Sequence, residues 1–304
     1  MILVTGGRGF LGRHVMERLV LTGNKAYGLG QSDGDLRYAE SCDNVFNLFQ
    51  PDTVIHLAAV VGGIGANRLH PGKFWRDNTL MGVNVLDACV KYGVKKLVIV
   101  STTCAYPHRP SHIPFLECEM WDGYPEPTNA PYGIAKKSLT VGALAYKAEY
   151  GLDVVNLVPT NLYGPHDNFD LESSHVIPAM IRRFHEAKVA GVKAVTMWGT
   201  GQPTRDFLYV DDAARAIVMA LDCGESEPIN LGSGNEVSMY SLASKIKSVV
   251  GYKGKIEWDH SKPDGQPRRC LDSARAARVL QWQATTKIDD GLERVYEWYK
   301  GQLP

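Results

Sequence analysis

The sequence predicts an α/β fold: a doubly wound parallel sheet covered by helices, with a smaller α/β unit at the carboxyl-terminal end. Two observations carry this prediction. Short apolar runs alternate with segments of helical periodicity through the first half of the chain, and a glycine-rich turn joins the first run to the first periodic segment. The second half is more mixed, which suits a smaller domain built over the carboxyl edge of the sheet.

The apolar runs predict the strands of the sheet, and the periodic segments predict its helices. Apolar residues recur at helical spacing from Phe10 onward, and Thr22-Gly23-Asn24 ends that helix. A second helix spans Asn78–Tyr92 and is closed by Gly93. The strands predicted between and after the helices are Ile2–Thr5, Ala26–Leu29, Thr53–Ala59, Leu97–Ser101 and Val154–Pro159.

The carboxyl-terminal half mixes the two patterns. A loop rich in proline, glycine and basic residues, Lys262–Arg269, precedes its last helical stretch. We expect a first domain over residues 1–164, to which segments near 205–222 return, and a second domain over residues 165–304. The elements predicted here are a helix over Val176–Lys188, strands over Ala194–Trp198 and Phe207–Val210, a helix from Asp211 or Asp212 to Leu221, and an amphipathic stretch ending at Tyr299.

Composition restricts the class of protein. Lys plus Arg and Asp plus Glu balance at 33 each, so no net field would hold the chain on nucleic acid or a membrane. The chain starts without the basic and apolar segments of a signal peptide, and no apolar stretch approaches the roughly 20 residues of a membrane span. Six scattered cysteines without a Cys-x-x-Cys pair predict neither a disulfide framework nor a zinc site. We therefore expect a cytoplasmic protein without a metal, nucleic-acid or membrane partner.

The turn after the first strand has the spacing G-x-x-G-x-x-G. Without side chains, this backbone can approach a pyrophosphate at the helix N-terminus, where amide N–H groups and the helix dipole favour an anion. The motif lies between a strand and a helix, so we predict a dinucleotide site in the first domain. The residues expected to bind the dinucleotide are Gly6, Arg8, Gly9, Phe10, Leu11 and Gly12.

The choice of dinucleotide depends on the end of the second strand. A site for NAD usually has an acidic residue there, whereas this strand ends in Leu29-Gly30-Gln31-Ser32, with no carboxylate before Asp33. Arg8 stands in the glycine turn, where its guanidinium can pair with a 2′-phosphate. The pattern favours NADP over NAD; the alternative is that Arg8 is merely solvated on a loop.

A phenol and an ammonium group stand four residues apart at Tyr132 and Lys136, and a helix brings them to one face. A nearby cation favours the phenolate and lowers the pKa of the phenol towards neutral pH. The spacing also occurs in ordinary amphipathic helices. The segment Ser101–Pro107 supplies a second clue, because it follows the fourth strand, where a hydroxyl can face the nicotinamide and orient a substrate carbonyl.

Together, these motifs resemble the extended short-chain dehydrogenase/reductase family, from Met1 to beyond Arg269. The resemblance implies a Rossmann-like fold for the doubly wound sheet. It puts Thr102 at the family's catalytic Ser/Thr position, Tyr132 at the general acid/base, and Lys136 at the lysine that tunes the phenol and binds the nicotinamide ribose.

Further motifs resemble a narrower group of that family, the GDP-L-fucose synthases. This resemblance implies NADPH-dependent epimerisation at C3 and C5 and reduction at C4, which convert GDP-4-keto-6-deoxy-D-mannose to GDP-L-fucose, in a protein that forms homodimers. The motifs are Val61-Gly62-Gly63-Ile64, Pro127–Tyr132, Pro159–Phe169, Ser173–Pro178, Trp198–Gly201 and Arg205–Asp212.

The same resemblance assigns further roles. Cys104 and His175 correspond to the pair that transfers protons in epimerisation, and a thiol and an imidazole have ordinary pKa values suited to that task. The alternative is a buried apolar thiol and a histidine that starts a helix. The positions implied to contact the cofactor are Asn161, Leu162 and His175, and those implied to contact the sugar nucleotide are Arg183, Trp198, Arg205 and either Arg268 or Arg269.

Two departures from the group keep alternatives open. Thr102 replaces the usual serine, and Gly133 replaces the alanine that commonly follows the tyrosine. Thr103 and Cys104 stand where a 4,6-dehydratase would have Asp-Glu, and a simple 4-epimerase has no use for a Cys/His pair. The alternatives are an epimerase that retains NAD(P) without net reduction, a reductase of another GDP-4-keto sugar, and a catalytically silent dinucleotide-binding protein.

Overall fold

A six-stranded, wholly parallel sheet forms the centre of the computed structural model, which describes residues 1–262 and 264–303. Its strand order, β2-β1-β3-β4-β5-β9, reverses direction at β1, so the connecting helices lie on both faces. The predicted doubly wound sheet is confirmed. Its strands are β1 (Ile2–Thr5), β2 (Ala26–Leu29), β3 (Thr53–His56), β4 (Lys96–Val100), β5 (Asp153–Pro159) and β9 (Ile229–Leu231).

Two apolar layers cover the faces of this sheet. One contains Val15, Leu19 and Ile217 and packs the first and seventh helices on the sheet, whereas the other contains Phe46 and Leu139 and packs the second, fourth and fifth. The helices are α1 (Phe10–Leu21), α2 (Ala39–Phe49), α3 (Ile64–Leu69), α4 (Pro71–Lys91), α5 (Ala130–Tyr150), α6 (Val176–Val189), α7 (Val210–Met219), α8 (Met239–Val250), α9 (Ala274–Val279) and α10 (Ile288–Gly301).

A smaller α/β unit lies beyond the sheet. It has its own apolar core, in which Phe184, Ile246 and Val295 bring together α6, α8 and α10. Two small sheets complete it: β8 pairs with β6, β10 and β12, and β7 pairs with β11. The strands are β6 (Asn161–Tyr163), β7 (Ala194–Trp198), β8 (Thr204–Tyr209), β10 (Glu236–Ser238), β11 (Lys255–Asp259) and β12 (Arg268–Arg269).

The differences from the predicted elements have local causes. The third strand stops at His56 rather than Ala59, because Leu57–Ala59 leave the sheet and line the cleft described below. Helix α4 begins at Pro71 rather than Asn78, since proline is tolerated in a first helical turn. The short strand Ile229–Leu231 escaped prediction, although it joins the main sheet beside β5.

Two further findings concern membrane-spanning helices and metal sites, neither of which the sequence predicts. No helix in the described ranges is long and apolar enough to cross a membrane. Within the same residues, no group of three or more His, Cys, Asp or Glu side chains is arranged to hold a metal ion.

Candidate active site

One cleft of about 1320 Å³ runs along the carboxyl edge of the main sheet and continues between that sheet and the smaller unit. Pockets for single drug-sized ligands measure roughly 300–1,000 Å³, so this cleft has room for more than one. Every residue predicted to act in the site lines it: Gly6, Arg8, Gly9, Phe10, Leu11, Gly12, Thr102, Cys104, Tyr132, Lys136, Asn161, Leu162, His175, Arg183, Trp198, Arg205 and Arg269.

The glycine turn leaves no room for side chains. A Cβ on Gly12 would lie 2.1 Å from the carbonyl oxygen of Gly6, and one on Gly7 would lie 2.4 Å from the Cα of Gly28. Gly6 also adopts a φ of +69°, which favours glycine. No side chain caps the N-terminus of α1. The turn therefore presents bare backbone and a positive helix end, which fit a dinucleotide pyrophosphate.

Arg8, within this turn, has an unexpected partner. Its Nη2 lies 2.8 Å from Oδ2 of Asp33, and the same carboxylate accepts a hydrogen bond from the backbone N–H of Gly30 at 2.8 Å. Half of the Arg8 side chain remains exposed. A 2′-phosphate could therefore reach this guanidinium, but it would compete with Asp33, a residue that the sequence did not assign to the site.

Two hydroxyl groups meet where β4 ends. Thr102 accepts a hydrogen bond on Oγ1 from the N–H of Cys104 at 3.1 Å, so it starts the short 3₁₀ turn that carries the cysteine. Tyr132 lies in the first turn of α5, and its ring packs edge-on against Phe74 at 6.4 Å. Hydrogen bonding to Thr102 lowers the pKa of the Tyr132 phenol, although burial acts in the opposite direction and dominates.

This balance corrects one expectation from the sequence. Burial, with a smaller contribution from Cys104, raises the pKa of Tyr132 far above its ordinary value, and Lys136 does not offset the shift. Burial also lowers the pKa of Lys136 to about 8, so burial dominates the proton affinities of both groups. The predicted lowering of the phenol pKa by this lysine is wrong for the protein alone.

Gly133 explains one departure from the family pattern. A Cβ at this position would lie 2.3 Å from the carbonyl oxygen of Cys104. The missing side chain therefore lets the Thr102–Cys104 turn lie directly against α5.

A second pair of glycines, Gly62 and Gly63, packs against the segment that precedes His175. The backbone N–H of Gly63 donates to the carbonyl of Ser173 at 3.1 Å, and a Cβ on Gly63 would lie 2.7 Å from the carbonyl oxygen of Ser174. His175 then precedes α6 without capping it. Its ring is solvent-accessible because it faces the cleft, yet the dense protein around it lowers its pKa, so the neutral base is favoured.

Two guanidinium groups lie side by side in the sugar-nucleotide half of the cleft. Arg205 donates to the carbonyl oxygens of Thr204 and Gln266, both at 2.7 Å, and Arg269 donates to Oε1 of Gln266 at 3.0 Å. Within the described residues, neither forms an ion pair with a carboxylate. Burial, followed by the like charge of Arg269, lowers the pKa of Arg205 to about 10. Such a pair favours a bound anion of high charge, such as a diphosphate.

The remaining predicted contacts flank this pair. Trp198 is 65% exposed at the end of β7, and the ammonium group of Lys262 lies 5.8 Å from its ring centroid. A flat, open indole next to a cation can stack on a nucleotide base. Arg183 lines the cleft from α6. Arg268, the alternative to Arg269, instead points away and pairs with Glu236.

The chain is similar to known proteins over nearly its whole length. The model of the family described as "NAD dependent epimerase/dehydratase family" matches residues 2–232. The chain belongs to this family. GDP-L-fucose synthase 1 of Arabidopsis thaliana is 42% identical over 301 residues, which cover 98% of this chain and 92% of that protein. The resemblance to GDP-L-fucose synthases is therefore confirmed.

Solved structures are similar in fold to nearly the whole chain. A GDP-L-fucose synthetase from Naegleria fowleri bound to NADP has a TM-score of 0.90 and 32% identity, covering 99% of this chain and 94% of that one. A GDP-6-OMe-4-keto-L-xylo-heptose reductase from C. jejuni has a TM-score of 0.94 and 26% identity, covering 99% and 98%.

Sequence reasoning missed several residues of this family member's cleft. Gln266 holds both arginines, and the carboxylate of Asp264 accepts hydrogen bonds from the backbone and hydroxyl of Thr200 at 2.7 Å each. Glu126 accepts from the Thr128 hydroxyl at 2.5 Å and from the Asn129 side chain at 3.0 Å, just before α5. Gln266 and Asp264 lie in the Pro/Gly/basic loop, so the unusual composition of that loop was the available signal.

Proposed function

We propose that the protein catalyses NADPH-dependent 3,5-epimerisation and 4-reduction of a GDP-4-keto-6-deoxy sugar, converting GDP-4-keto-6-deoxy-D-mannose to GDP-L-fucose. One observation carries the proposal: a single cleft joins a hydroxyl, phenol and lysine set to a thiol, an imidazole and two arginines that form no ion pair among the described residues. The first set serves carbonyl reduction, the thiol and imidazole serve proton transfer, and the arginines serve a diphosphate.

The proposed roles start from the ketone. Thr102 and Tyr132 hold the C4 oxygen, and their hydrogen bonds stabilise the enolate that forms when a proton leaves C3 or C5. Inversion of a centre needs a base on one face of the sugar and an acid on the other. Cys104 and His175 supply these two groups from separate segments of the cleft. Burial lowers the pKa of His175 and favours the neutral ring, which can take up a proton from solvent and pass it to the sugar.

The cofactor proposed for this site is NADP, as in the Naegleria fowleri structure. The glycine turn would hold its pyrophosphate, Arg8 its 2′-phosphate, and Lys136, Asn161 and Leu162 its nicotinamide half. When bound, NADPH supplies the reducing equivalent for C4. The Asn161 amide is fixed for this role, because it donates to the carbonyl oxygen of Asp206 at 2.8 Å.

Reduction at C4 requires a proton for the new hydroxyl. Tyr132 is protonated at neutral pH, because burial raises its pKa, and it can deliver that proton to the C4 oxygen. Lys136 lies one turn further along α5, and its ammonium group would stabilise the phenolate left behind.

The test measures NADPH oxidation with GDP-4-keto-6-deoxy-D-mannose generated in situ, with the product identified by NMR. We expect oxidation that yields GDP-L-fucose. The variants Cys104→Ser and His175→Gln should impair solvent-deuterium exchange into C3 and C5. If both variants leave product stereochemistry and rate unchanged, the proton-transfer roles are wrong.

A second candidate function is reduction of another GDP-4-keto sugar. It is favoured by the TM-score of 0.94 to a protein named as a GDP-4-keto-heptose reductase. Exchange without oxidation would instead indicate an epimerase that retains NAD(P), and inactivity in both assays would favour a silent binding protein. A panel of GDP-4-keto sugars, compared by kcat/KM, separates the two reductases.

We propose that the two domains bind different ligands in the cleft. Residues 1–164, with the returning segments near 205–222, bind the dinucleotide, and residues 165–304 bind the sugar nucleotide. A cytoplasmic location stays a prediction from the cysteine pattern.

A homodimer is proposed through α4 and α5. Trp75 and Val83 lie two turns apart on α4 and are about half exposed, as are Val141 and Tyr150 on α5. Exposed apolar side chains on two helices that pack together suit contact with a second copy. Light scattering should show a dimer that Val141→Arg converts to a monomer. A wild-type monomer would contradict this assembly.

A further inference from the structure

Arg269 contacts the thiol that is proposed to transfer protons. Its Nη1 lies 3.7 Å from Sγ of Cys104, across the cleft floor. The two residues are 165 positions apart in the chain, and the contact joins the 3₁₀ turn after β4 to strand β12. Cys104 is half-buried and faces the cleft, whereas Arg269 is only 9% exposed.

The guanidinium is held in place by a short chain of hydrogen bonds. Nε of Arg269 donates to Oε1 of Gln266 at 3.0 Å, and Nε2 of Gln266 donates to the carbonyl oxygen of His108 at 2.9 Å. Gln266 is buried, so both bonds lie largely out of water. The anchoring leaves Nη1 free to point at the sulfur rather than swing into solvent.

Carboxylates compete little with the Cys104 thiol for the positive charge of Arg269. Within the described residues, Arg269 forms no ion pair. Glu126, a carboxylate whose pKa Arg269 helps to lower, already accepts hydrogen bonds from Thr128 and Asn129. A guanidinium without its own carboxylate stabilises a thiolate beside it.

We propose that Arg269 is a positioning residue for Cys104: its anchored guanidinium holds the thiolate form of Cys104 ready to accept a proton from the sugar. The inference deepens the proposed function and rests on it for the identity of the proton donor. Arg269 keeps its charge throughout: the proton passes from carbon to the sulfur of Cys104, and His175 returns a proton to carbon from the opposite face of the sugar. The same arginine would thus bind diphosphate and activate the thiol.

The experiment measures alkylation of each cysteine in the native protein by iodoacetamide, over a pH range around neutrality, with peptide mass spectrometry as the readout. Arg269→Met removes the charge, Arg269→Lys keeps it, and Arg268→Met is the matched control, since Arg268 pairs with Glu236 instead. Cys118 is exposed and serves as the reference thiol, while buried Cys89 reports on folding because it reacts only if the chain opens.

We expect Arg269→Met to slow alkylation of Cys104 about tenfold near pH 7, to move its pH profile upward, and to leave Cys118 unchanged. Arg269→Lys should recover much of the rate. An unchanged Cys104 profile in Arg269→Met, or an equal loss in Arg268→Met, would overturn the proposal. If Arg269→Met exposes Cys89, Gln266→Leu takes its place: it frees the guanidinium from its anchor and should slow Cys104 in the same direction, and no slowing would again overturn the proposal.

This assay needs no sugar, so it separates the two proposals. A charge-dependent Cys104 together with inactivity towards every GDP-4-keto sugar would leave the Arg269–Cys104 pairing standing and remove the proposed reaction. An active enzyme in which alkylation of Cys104 does not depend on Arg269 would leave the proposed reaction standing and remove the Arg269–Cys104 pairing.

Discussion

The two ends of the cleft are built in different ways. At the catalytic end, Tyr132 and Lys136 are buried on one face of α5, beneath the turn that carries Cys104. At the adenosine end, Arg8 is half exposed on a loop, and its charge is balanced by Asp33. Burial therefore sets the properties of the first end, and solvent-screened pairing sets those of the second.

This difference predicts how each end responds to change. Substitutions at the buried end alter proton affinities, packing and stability together, because its groups have no water to replace a lost partner. Substitutions at the exposed end alter one interaction at a time and by small amounts.

The largest effect is expected from Tyr132→Phe. Loss of a positioned general acid typically costs about 10²- to 10⁴-fold in rate. We expect kcat for reduction to fall by that factor with little change in KM. Tyr146→Phe, which removes a hydroxyl bound to Asp87 on the outer side of the same helix, is the control. A kcat for Tyr132→Phe within a few-fold of wild type would show that another group delivers the proton.

Lys136→Met should stabilise the fold while abolishing activity. The pKa of Lys136 is about 8 in the folded chain against 10.5 for an ordinary lysine, so the folded state binds fewer protons between these values and stability rises with pH across that window. Below pH 8 the buried charge costs about 3 kcal/mol. Chemical denaturation should show a gain of that order at neutral pH.

The gain from Lys136→Met should shrink to about 1 kcal/mol near pH 10, where the folded lysine is already neutral. Lys147→Met, in the last turn of the same helix, is the control. A gain that does not depend on pH would mean that better apolar packing, rather than removal of a charge, explains it.

Gly133→Ala tests the packing of the same end. Its Cβ would lie 2.3 Å from the Cys104 carbonyl, and relief of such a clash costs typically about 1–3 kcal/mol. We expect a lower free energy of unfolding and slower deuterium exchange at C3 and C5, because Cys104 must move. Gly142→Ala on the same helix would meet only the flexible end of Leu86 at 3.1 Å. Equal behaviour of the two variants would argue against a special role for Gly133.

Part of the fold could be predicted from the sequence. The strands and helices of the first half were predictable, since a buried parallel strand such as Ile2–Thr5 is apolar throughout and α1 keeps one apolar face. The three-residue strand Ile229–Leu231 was not, because so short an apolar run has no periodicity to distinguish it from a loop.

The residues of the site could likewise be predicted only in part. Residues within compact motifs, such as Tyr132 and Lys136, could be assigned because one helix fixes their spacing. Contacts between distant segments could not, since nothing local indicates that Arg269 reaches Cys104 or that Asp33 folds back onto Arg8. The sign of the Tyr132 pKa shift was also out of reach, because it depends on how deeply the folded chain buries both groups.

The smallest effect is expected at the adenosine end, from Asp33→Asn. The change frees Arg8 from a carboxylate 2.8 Å away and removes a negative charge that a 2′-phosphate would meet. An exposed ion pair is worth about 0.2–1 kcal/mol, so NADPH should bind up to about fivefold more tightly. Fluorescence titration measures this affinity, and the gain should fade as salt is raised.

The matched change Arg8→Ala should weaken binding of NADPH and leave that of NADH nearly unchanged, because NADH lacks the 2′-phosphate that the guanidinium would hold. If Asp33→Asn instead weakens binding of both dinucleotides, the carboxylate is needed to shape the end of β2, where it accepts a hydrogen bond from the N–H of Gly30. The exposed end would then resemble the buried one, because a single substitution would disturb structure and recognition together.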